Sequence, residues 1–227
     1  MLEELKDKSI LIIGSGESGT GAAVLAKKMK YDVFVSDGSI IPDKYKKVLD
    51  INGIPYEEKG HTIDSLSNVG LVLKSPGVPE GSAVMQKIRR AGVRVISEIE
   101  FAALHYHGTM IAITGSNGKT TTSGLLYHLL NAAGLKAGLA GNYGDSFAGY
   151  VAGQPEAVVV LEVSSFQLDD IETFKPHIAI LLNITPDHLD RYDYKMENYV
   201  NAKFRINGNQ ASDDFFIINA DDAEMGL

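Results

Sequence analysis

The chain contains no cysteine among its 227 residues. That absence excludes disulfides, zinc–thiolate sites and thiol nucleophiles together. It has no basic block either. Against 29 acidic side chains stand 21 basic ones, a formal net charge of −8, which argues against non-specific nucleic-acid binding. Small anionic ligands stay open, because they need only local positive groups. No apolar run approaches membrane-spanning length, and the first residues lack the basic-then-apolar order of a secretory signal. The expectation is a cytoplasmic protein that partners neither a membrane nor a nucleic acid. No repeat, low-complexity tract or long linker is visible. What remains is an ordinary globular composition, 44% hydrophobic and 22% charged, long enough for one large or two ordinary domains.

Short apolar runs alternate with amphipathic stretches, the pattern of βαβ units around parallel sheets. Strands are expected at Ser9–Ile13, Asp32–Ser36, Val69–Lys74 and Val93–Ile96, with helices at Thr20–Lys30, Asp43–Asn52, Ser82–Ala91 and Glu98–His105. A second series of strands is expected at Met110–Thr114, Ala137–Ala140, Ala157–Leu161, Ile178–Leu182 and Phe215–Asn219. Its helices are expected at Lys119–Ala133, after Gly144, at Ser165–Asp170 and at Met196–Ile206.

Two glycine loops stand at the head of these series. Met110-Ile-Ala-Ile-Thr-Gly-Ser-Asn-Gly-Lys-Thr-Thr-Thr122 runs from an apolar strand through a glycine turn into a helix. Backbone N–H groups of such a turn converge on phosphate oxygens, and the helix N-terminus adds a favourable dipole. Lys119 can reach terminal phosphates, and the Thr120 hydroxyl can join a Mg²⁺ shell. The loop is a shortened variant, since Ile113 stands where the usual pattern has its first glycine. The residues expected around a nucleoside triphosphate are Gly115, Ser116, Asn117, Gly118, Lys119, Thr120 and Thr121.

The other loop, Gly14-Ser-Gly16-Glu-Ser-Gly19-Thr-Gly21, follows the first strand and opens the first helix, the context of a dinucleotide fingerprint. Asp37 closes the next strand, where an acid can take a ribose or base donor. NAD is one reading of this loop, and another nucleotide diphosphate fits equally well. The chain is therefore expected to be α/β: a Rossmann-like parallel-sheet domain over residues 1–106, then a P-loop ATPase α/β domain over 107–227. The second is expected to be truncated, because a sheet rarely stops just after a strand and an acidic turn, as at Glu224-Met-Gly-Leu227.

Other candidates follow successive strand ends. Glu162 closes an apolar strand, so its carboxylate is expected in the crevice that holds phosphates, where one carboxylate with phosphate oxygens and waters suits Mg²⁺. His188 lies in the loop Asn183-Ile-Thr-Pro-Asp-His-Leu-Asp-Arg-Tyr192, as a metal or phosphate ligand or a solvated loop histidine. Lys203 reads by default as a helix-surface lysine. Asn142 sits in a Gly141-Asn-Tyr-Gly144 turn.

Together GSNGKTTT at 115–122, GNYG at 141–144, LEVSSFQL at 161–168, NITPDHLDRY at 183–192 and AKFRI at 202–206 resemble the Mur ligases of peptidoglycan synthesis. The resemblance covers essentially the whole chain, with its motifs in family order. SSFQL, KSPGVP at 74–79 and SEIEF at 97–101 resemble the branch that adds D-glutamate to UDP-N-acetylmuramoyl-L-alanine. This implies ATP and Mg²⁺ as cofactors. ATP would phosphorylate the substrate carboxylate, and the amine of D-glutamate would displace phosphate from the acyl phosphate.

The resemblance also implies roles for residues. Gly14, Ser15, Gly16, Glu17, Ser18, Asp37 and Ser75 would contact the UDP portion, and Asn142 the substrate. Lys119, His188 and Lys203 would be catalytic. Thr120 and Glu162 would hold one Mg²⁺, and His188 with a carbamylated Lys203 a second. Two departures stand out. The family's further C-terminal domain is expected to be absent, and a chain without it is expected not to ligate alone. Asp37-Gly38-Ser39 also lacks the nearby basic residue of some members. The alternatives are another Mur ligase, a folylpolyglutamate-type ligase, an NAD-dependent dehydrogenase, or a non-catalytic nucleotide-binding sensor.

Overall fold

The structure, a computed structural model, describes Leu5 and residues 8–62, 66–153 and 155–225. Of the chain end discussed above, Gly226 and Leu227 lie outside the described residues. The first series of elements is β1 (Ser9–Ile13), α1 (Glu17–Lys28), β2 (Asp32–Ser36), α2 (Asp43–Ile51), β3 (Tyr56–Glu57), β4 (Val69–Lys74), α3 (Ala83–Arg90), β5 (Val95–Ser97) and α4 (Glu98–Ala103). The second is β6 (Thr109–Thr114), α5 (Lys119–Ala132), β7 (Ala137–Gly141), α6 (Phe147–Ala152), β8 (Val158–Glu162), α7 (Ser165–Leu168), β9 (Ile178–Leu181), α8 (Met196–Phe204) and β10 (Phe215–Ile218). The chain groups into two compact units, Met1–Ala102 with Phe147–Gly153, and Ala103–Ser146 with Gln154–Leu227.

In the first unit the strand order is β3-β2-β1-β4-β5, all parallel. A parallel sheet needs cover on both faces, so its central strand must be apolar throughout. Accordingly Ile10, Leu11, Ile12 and Ile13 are all buried. Leu11 and Ile13 pack with Val72 of β4 and with Val84, Met85 and Ile88 of α3. Helix α1 contacts β1, β2 and β4. It begins three residues earlier than the apolar periodicity suggests, directly after Gly16, which draws Gly19 into the helix. A Cβ on Gly19 would stand 1.8 Å from the Gly14 carbonyl oxygen, so only glycine lets the helix start this close to the strand it follows. The short strand β3 carries no periodic signal and is not foreseen by the sequence reading.

Register decides where ligand-facing loops begin. Ile13 pairs with Ser36 on one side and with Lys74 on the other. Gly14, Asp37 and Ser75 therefore leave the sheet side by side at its carboxyl edge. Helix α6 groups with this unit because both its ends are held there: the Glu98 carboxylate accepts from the N–H of Ala148, and the Lys28 ammonium donates to the Ala152 carbonyl. Each charge complements the helix dipole at its end.

The second unit repeats the design with order β10-β9-β6-β8-β7, again all parallel. Here Ile113 pairs with Glu162, Thr114 with Leu181, and Gly141 with Glu162. The glycine loop after β6 thus opens between the ends of β8 and β9. Beside β9, Leu181, Ile184, Tyr192, Tyr199 and Ala202 form a core that anchors α8.

Candidate functional site

In the first unit the residues expected around a nucleotide diphosphate come together. Gly14, Ser15, Gly16, Glu17, Ser18, Asp37 and Ser75 all line one cavity of about 490 Å³. That volume suits a small organic ligand. The loop is fastened from three directions. Asp37 Oδ2 accepts from both the N–H and the hydroxyl of Ser15, each at 2.7 Å. Ser75 Oγ donates to the Gly14 carbonyl at 2.9 Å, and Thr20 Oγ1 to the Ser15 carbonyl at 2.9 Å. Gly16 caps α1 without a side-chain hydrogen bond, which leaves the first-turn N–H groups without intrahelical partners, and Gly16, Glu17 and Ser18 of that turn line the cavity.

Asp37 therefore positions the loop. Its Oδ1 also accepts from the Ser39 N–H at 2.8 Å. Burial raises its pKa, but the hydrogen bonds from Ser15 and Ser39 together bring it below the ordinary carboxylate value. With three lone-pair directions taken, it has no room for a two-hydroxyl ribose clamp of the dinucleotide type.

In the second unit Gly118 adopts φ +82°, a left-handed turn that glycine takes without strain, and α5 starts at Lys119. Lys119 Nζ donates to the carbonyls of Gly115 at 2.8 Å and Ser116 at 3.0 Å. Thr120 Oγ1 donates to Glu162 Oε2 at 2.7 Å, and Asn142 Nδ2 to Glu162 Oε1 at 2.7 Å. Glu162 is buried, and no ion pair to it is found among the described residues. A hydroxyl and a buried carboxylate in contact at the mouth of a glycine loop are hard oxygen donors, which suits Mg²⁺. Asn142, expected at the substrate, holds Glu162 in place, and its own N–H donates to the Glu162 carbonyl at 2.8 Å. Asn117 and Asn183 tie the loop to the end of β9: the Asn117 N–H donates to Asn183 Oδ1 at 2.8 Å, and Asn183 Nδ2 to the Asn117 carbonyl at 3.0 Å. The Ser116 hydroxyl donates to the Thr185 carbonyl at 2.9 Å, and Thr121 occupies the first turn of α5.

Lys203 corrects the default reading of a surface lysine. It is 2% exposed, and its Nζ donates to the Gly115 carbonyl at 2.9 Å, the same oxygen that Lys119 holds. Burial, reinforced by the Lys119 charge and opposed by Asp187, brings its pKa down to about 7. Its amine also lies 4.5 Å from the Tyr199 ring centre. His188 is exposed, 3.6 Å from Asp187 and beside the Phe166 ring. Among the described residues it hydrogen-bonds to neither Lys203 nor Glu162, and no group of three or more His, Asp or Glu side chains is arranged to hold a metal ion.

Sequence reasoning missed His61. It lines the first cavity, reached from the loop after β3, and so stands next to Gly38 although 23 positions separate them (61 − 38). The only hint was the missing basic residue beside Asp37. Nothing local says that a histidine so far along supplies a nitrogen there.

Comparisons with known proteins bear on both units. A family model described as the Mur ligase middle domain matches residues 113–226, and one described as the MurD N-terminal domain matches residues 9–84. A UDP-N-acetylmuramoylalanine–D-glutamate ligase of Christiangramia forsetii is 54% identical over 218 residues, 96% of this chain and 49% of that protein. Its counterpart in Bacteroides fragilis is 54% identical over 215 residues, 95% of this chain and 48% of that protein. The chain thus spans about half the length of the curated relatives it matches. Among solved structures, UDP-N-acetylmuramate:L-alanyl-gamma-D-glutamyl-meso-diaminopimelate ligase from Neisseria meningitides superposes with a TM-score of 0.64 at 21% identity, over 96% of this chain and 73% of that one. UDP-N-acetylmuramate-alanine ligase from Thermotoga maritima gives 0.60 at 22%, over 95% and 50%. At such identities the structural likeness speaks for the fold.

Proposed function

The chain belongs to the Mur ligase family, and we propose that it forms the substrate-nucleotide and ATP-binding portion of an ATP-dependent ligase that joins D-glutamate to UDP-N-acetylmuramoyl-L-alanine. The observation that carries the reading is the Thr120–Glu162 contact at the mouth of the second glycine loop. The first unit carries a separate diphosphate-type loop, so one chain offers a site for each of two nucleotides. A dehydrogenase explains only the first loop, and its ribose clamp is not open on Asp37. The names of the curated relatives support the choice of D-glutamate as the added amino acid.

In this reading the first-turn amides of α1 bind the diphosphate of the UDP substrate, with Asp37, Ser75 and Thr20 keeping the loop in shape. Asn117, Gly118, Thr121 and the other residues of the second loop cradle the ATP phosphates. Lys119 leaves the Gly115 and Ser116 carbonyls and pairs with the terminal phosphates, which lowers the barrier chiefly by positioning and charge neutralisation. Thr120 and Glu162 would hold Mg²⁺, which would supply charge neutralisation at the phosphates. Transfer of the phosphoryl group to the substrate carboxylate gives an acyl phosphate and ADP. The D-glutamate amine then attacks that carbonyl, phosphate leaves, and the amine gives up a proton.

As an amine, Lys203 does not suit a cation. A pKa near 7 leaves a large neutral fraction at neutral pH, and a neutral amine adds CO₂, losing a proton to become a carbamate. That oxygen-bearing group would suit Mg²⁺, and His188 would be a candidate second ligand. Asn142 serves by holding Glu162. Calorimetric titration with UDP-N-acetylmuramoyl-L-alanine, UDP and NAD⁺ tests the reading. Preference for the muramoyl nucleotide over NAD⁺ is expected, and binding of NAD⁺ alone would overturn it.

A further inference from the structure

We infer that His61 is a specificity-determining residue of the first cavity, whose Nε2 accepts a hydrogen bond from a donor on the nucleoside end of the ligand. The inference rests on reading that cavity as a nucleoside diphosphate site and names the side chain that reads the nucleoside.

Three observations meet at this ring. First, Ser36 Oγ lies 2.6 Å from Glu57 Oε1 and 2.7 Å from His61 Nδ1. A serine hydroxyl has one proton, and an ionised carboxylate can only accept. Glu57 also accepts from the N–H and the hydroxyl of Thr62, as an ionised carboxylate would. The Ser36 proton is therefore assigned to Glu57, and Oγ accepts in turn from Nδ1–H of His61. This chain places a proton on Nδ1, so in the neutral ring it is Nε2 that carries the lone pair and no proton.

Second, Nε2 is on the cavity side. A Cβ built on Gly38 would stand 3.1 Å from Nε2, and both residues line the cavity. The ring fills the space that a side chain at position 38 would take. Gly38 thus makes room for a group that arrives from the loop after β3.

Third, the residue that would otherwise read the nucleoside is committed elsewhere. Asp37 spends Oδ2 on both donors of Ser15 and one direction of Oδ1 on Ser39. The acceptor that a nucleoside donor meets next to it is Nε2. The donor is either a ribose hydroxyl or the imino N–H of a uracil-type base, which cytosine lacks.

The test is calorimetric titration of the chain with UDP, CDP, the 2′- and 3′-deoxy analogues of UDP, and inorganic pyrophosphate. Native protein is compared with His61→Ala and His61→Asn, all checked for folding by thermal melting. Asparagine keeps a donor for Ser36 and removes Nε2, so it separates reading from packing. We expect both variants to bind UDP about tenfold or more weakly while holding pyrophosphate within about twofold. The preference of native protein for UDP over the analogue that lacks the donor should collapse in both. A loss in the CDP arm identifies the imino group, and one in a deoxy arm the hydroxyl. Unchanged UDP affinity in both variants, or an equal loss for every ligand including pyrophosphate, would overturn the inference. If native protein binds no nucleotide at all, the reading of the cavity falls and this inference with it. If native protein binds and the variants match it, only the inference falls.

Discussion

Two glycine loops in this molecule follow strands at the same place in their sheets, β1 between β2 and β4, and β6 between β9 and β8. They are fastened by groups of opposite character. The loop after β1 is latched through its donors, with the Asp37 carboxylate on the N–H and hydroxyl of Ser15. The loop after β6 is latched through its acceptors, with two lysine amines on the Gly115 carbonyl. A carboxylate latch is permanent, because an arriving phosphate has no reason to displace it and the first-turn amides are already free. An amine latch is provisional, because an arriving phosphate competes for the same lysine. Under the proposed function the first loop would hold its ligand, and the second would exchange partners as charge moves. Parallel-sheet topology supplies the location in both cases, and under the proposed function the latch chemistry would separate a binding site from a reacting one.

Replacing the amine latch should have the largest effect. Lys119→Met is expected to lower Mg-ATP affinity by ~10²-fold while UDP affinity stays within about twofold, measured by calorimetry. Equal losses at both sites would erase the distinction between the loops. Next, Glu162→Gln should weaken ATP binding by ~10-fold in the presence of Mg²⁺ and have little effect in chelator, since on the proposed function it would remove a cation ligand and leave the loop intact. Asp37→Asn attacks the permanent latch. It should cost about 1–3 kcal/mol of stability in a denaturant melt and weaken UDP severalfold, without touching ATP.

The smallest effect concerns acid. The Ala211 N–H, then the Lys175 and His177 side chains, hold the Asp214 carboxyl down to about 2 against the opposing effect of burial. A carboxyl with a depressed folded-state pKa binds fewer protons folded than unfolded between about 2 and its ordinary 3.8. Its contribution is therefore present above 3.8 and lost as pH falls through that window. Asp214→Asn should lower the melting temperature slightly at pH 5 to 7, and the gap from native protein should close toward pH 2.

Much of the scaffold was legible because parallel strands buried on both faces are apolar without interruption. Ser9–Ile13, Asp32–Ser36 and Val69–Lys74 stand where the runs SILII, DVFVS and VGLVLK put them. Tyr56–Glu57 was not legible, since a two-residue edge strand has no period to read. The start of α1 was misjudged because its first turn carries glycine rather than apolar residues, and the tight approach to the Gly14 carbonyl is what makes those residues helical. In the candidate site, the glycine loops and the strand-end position of Glu162 were readable from local order. The contact between Thr120 and Glu162 needs residues 42 apart and depends on the pairing of Ile113 with Glu162.

By itself the sequence determined two α/β halves, each with a glycine turn between a buried strand and a helix, because backbone freedom, apolar periodicity and helix starts are properties of neighbouring residues. Only the tertiary structure decided that Lys203 is buried against the second loop, that Asp37 serves the loop before any ligand, and that His61 stands in the space left by Gly38. Burial, proton assignment and the direction of a lone pair depend on what the rest of the fold brings to a side chain, and no local pattern carries that information.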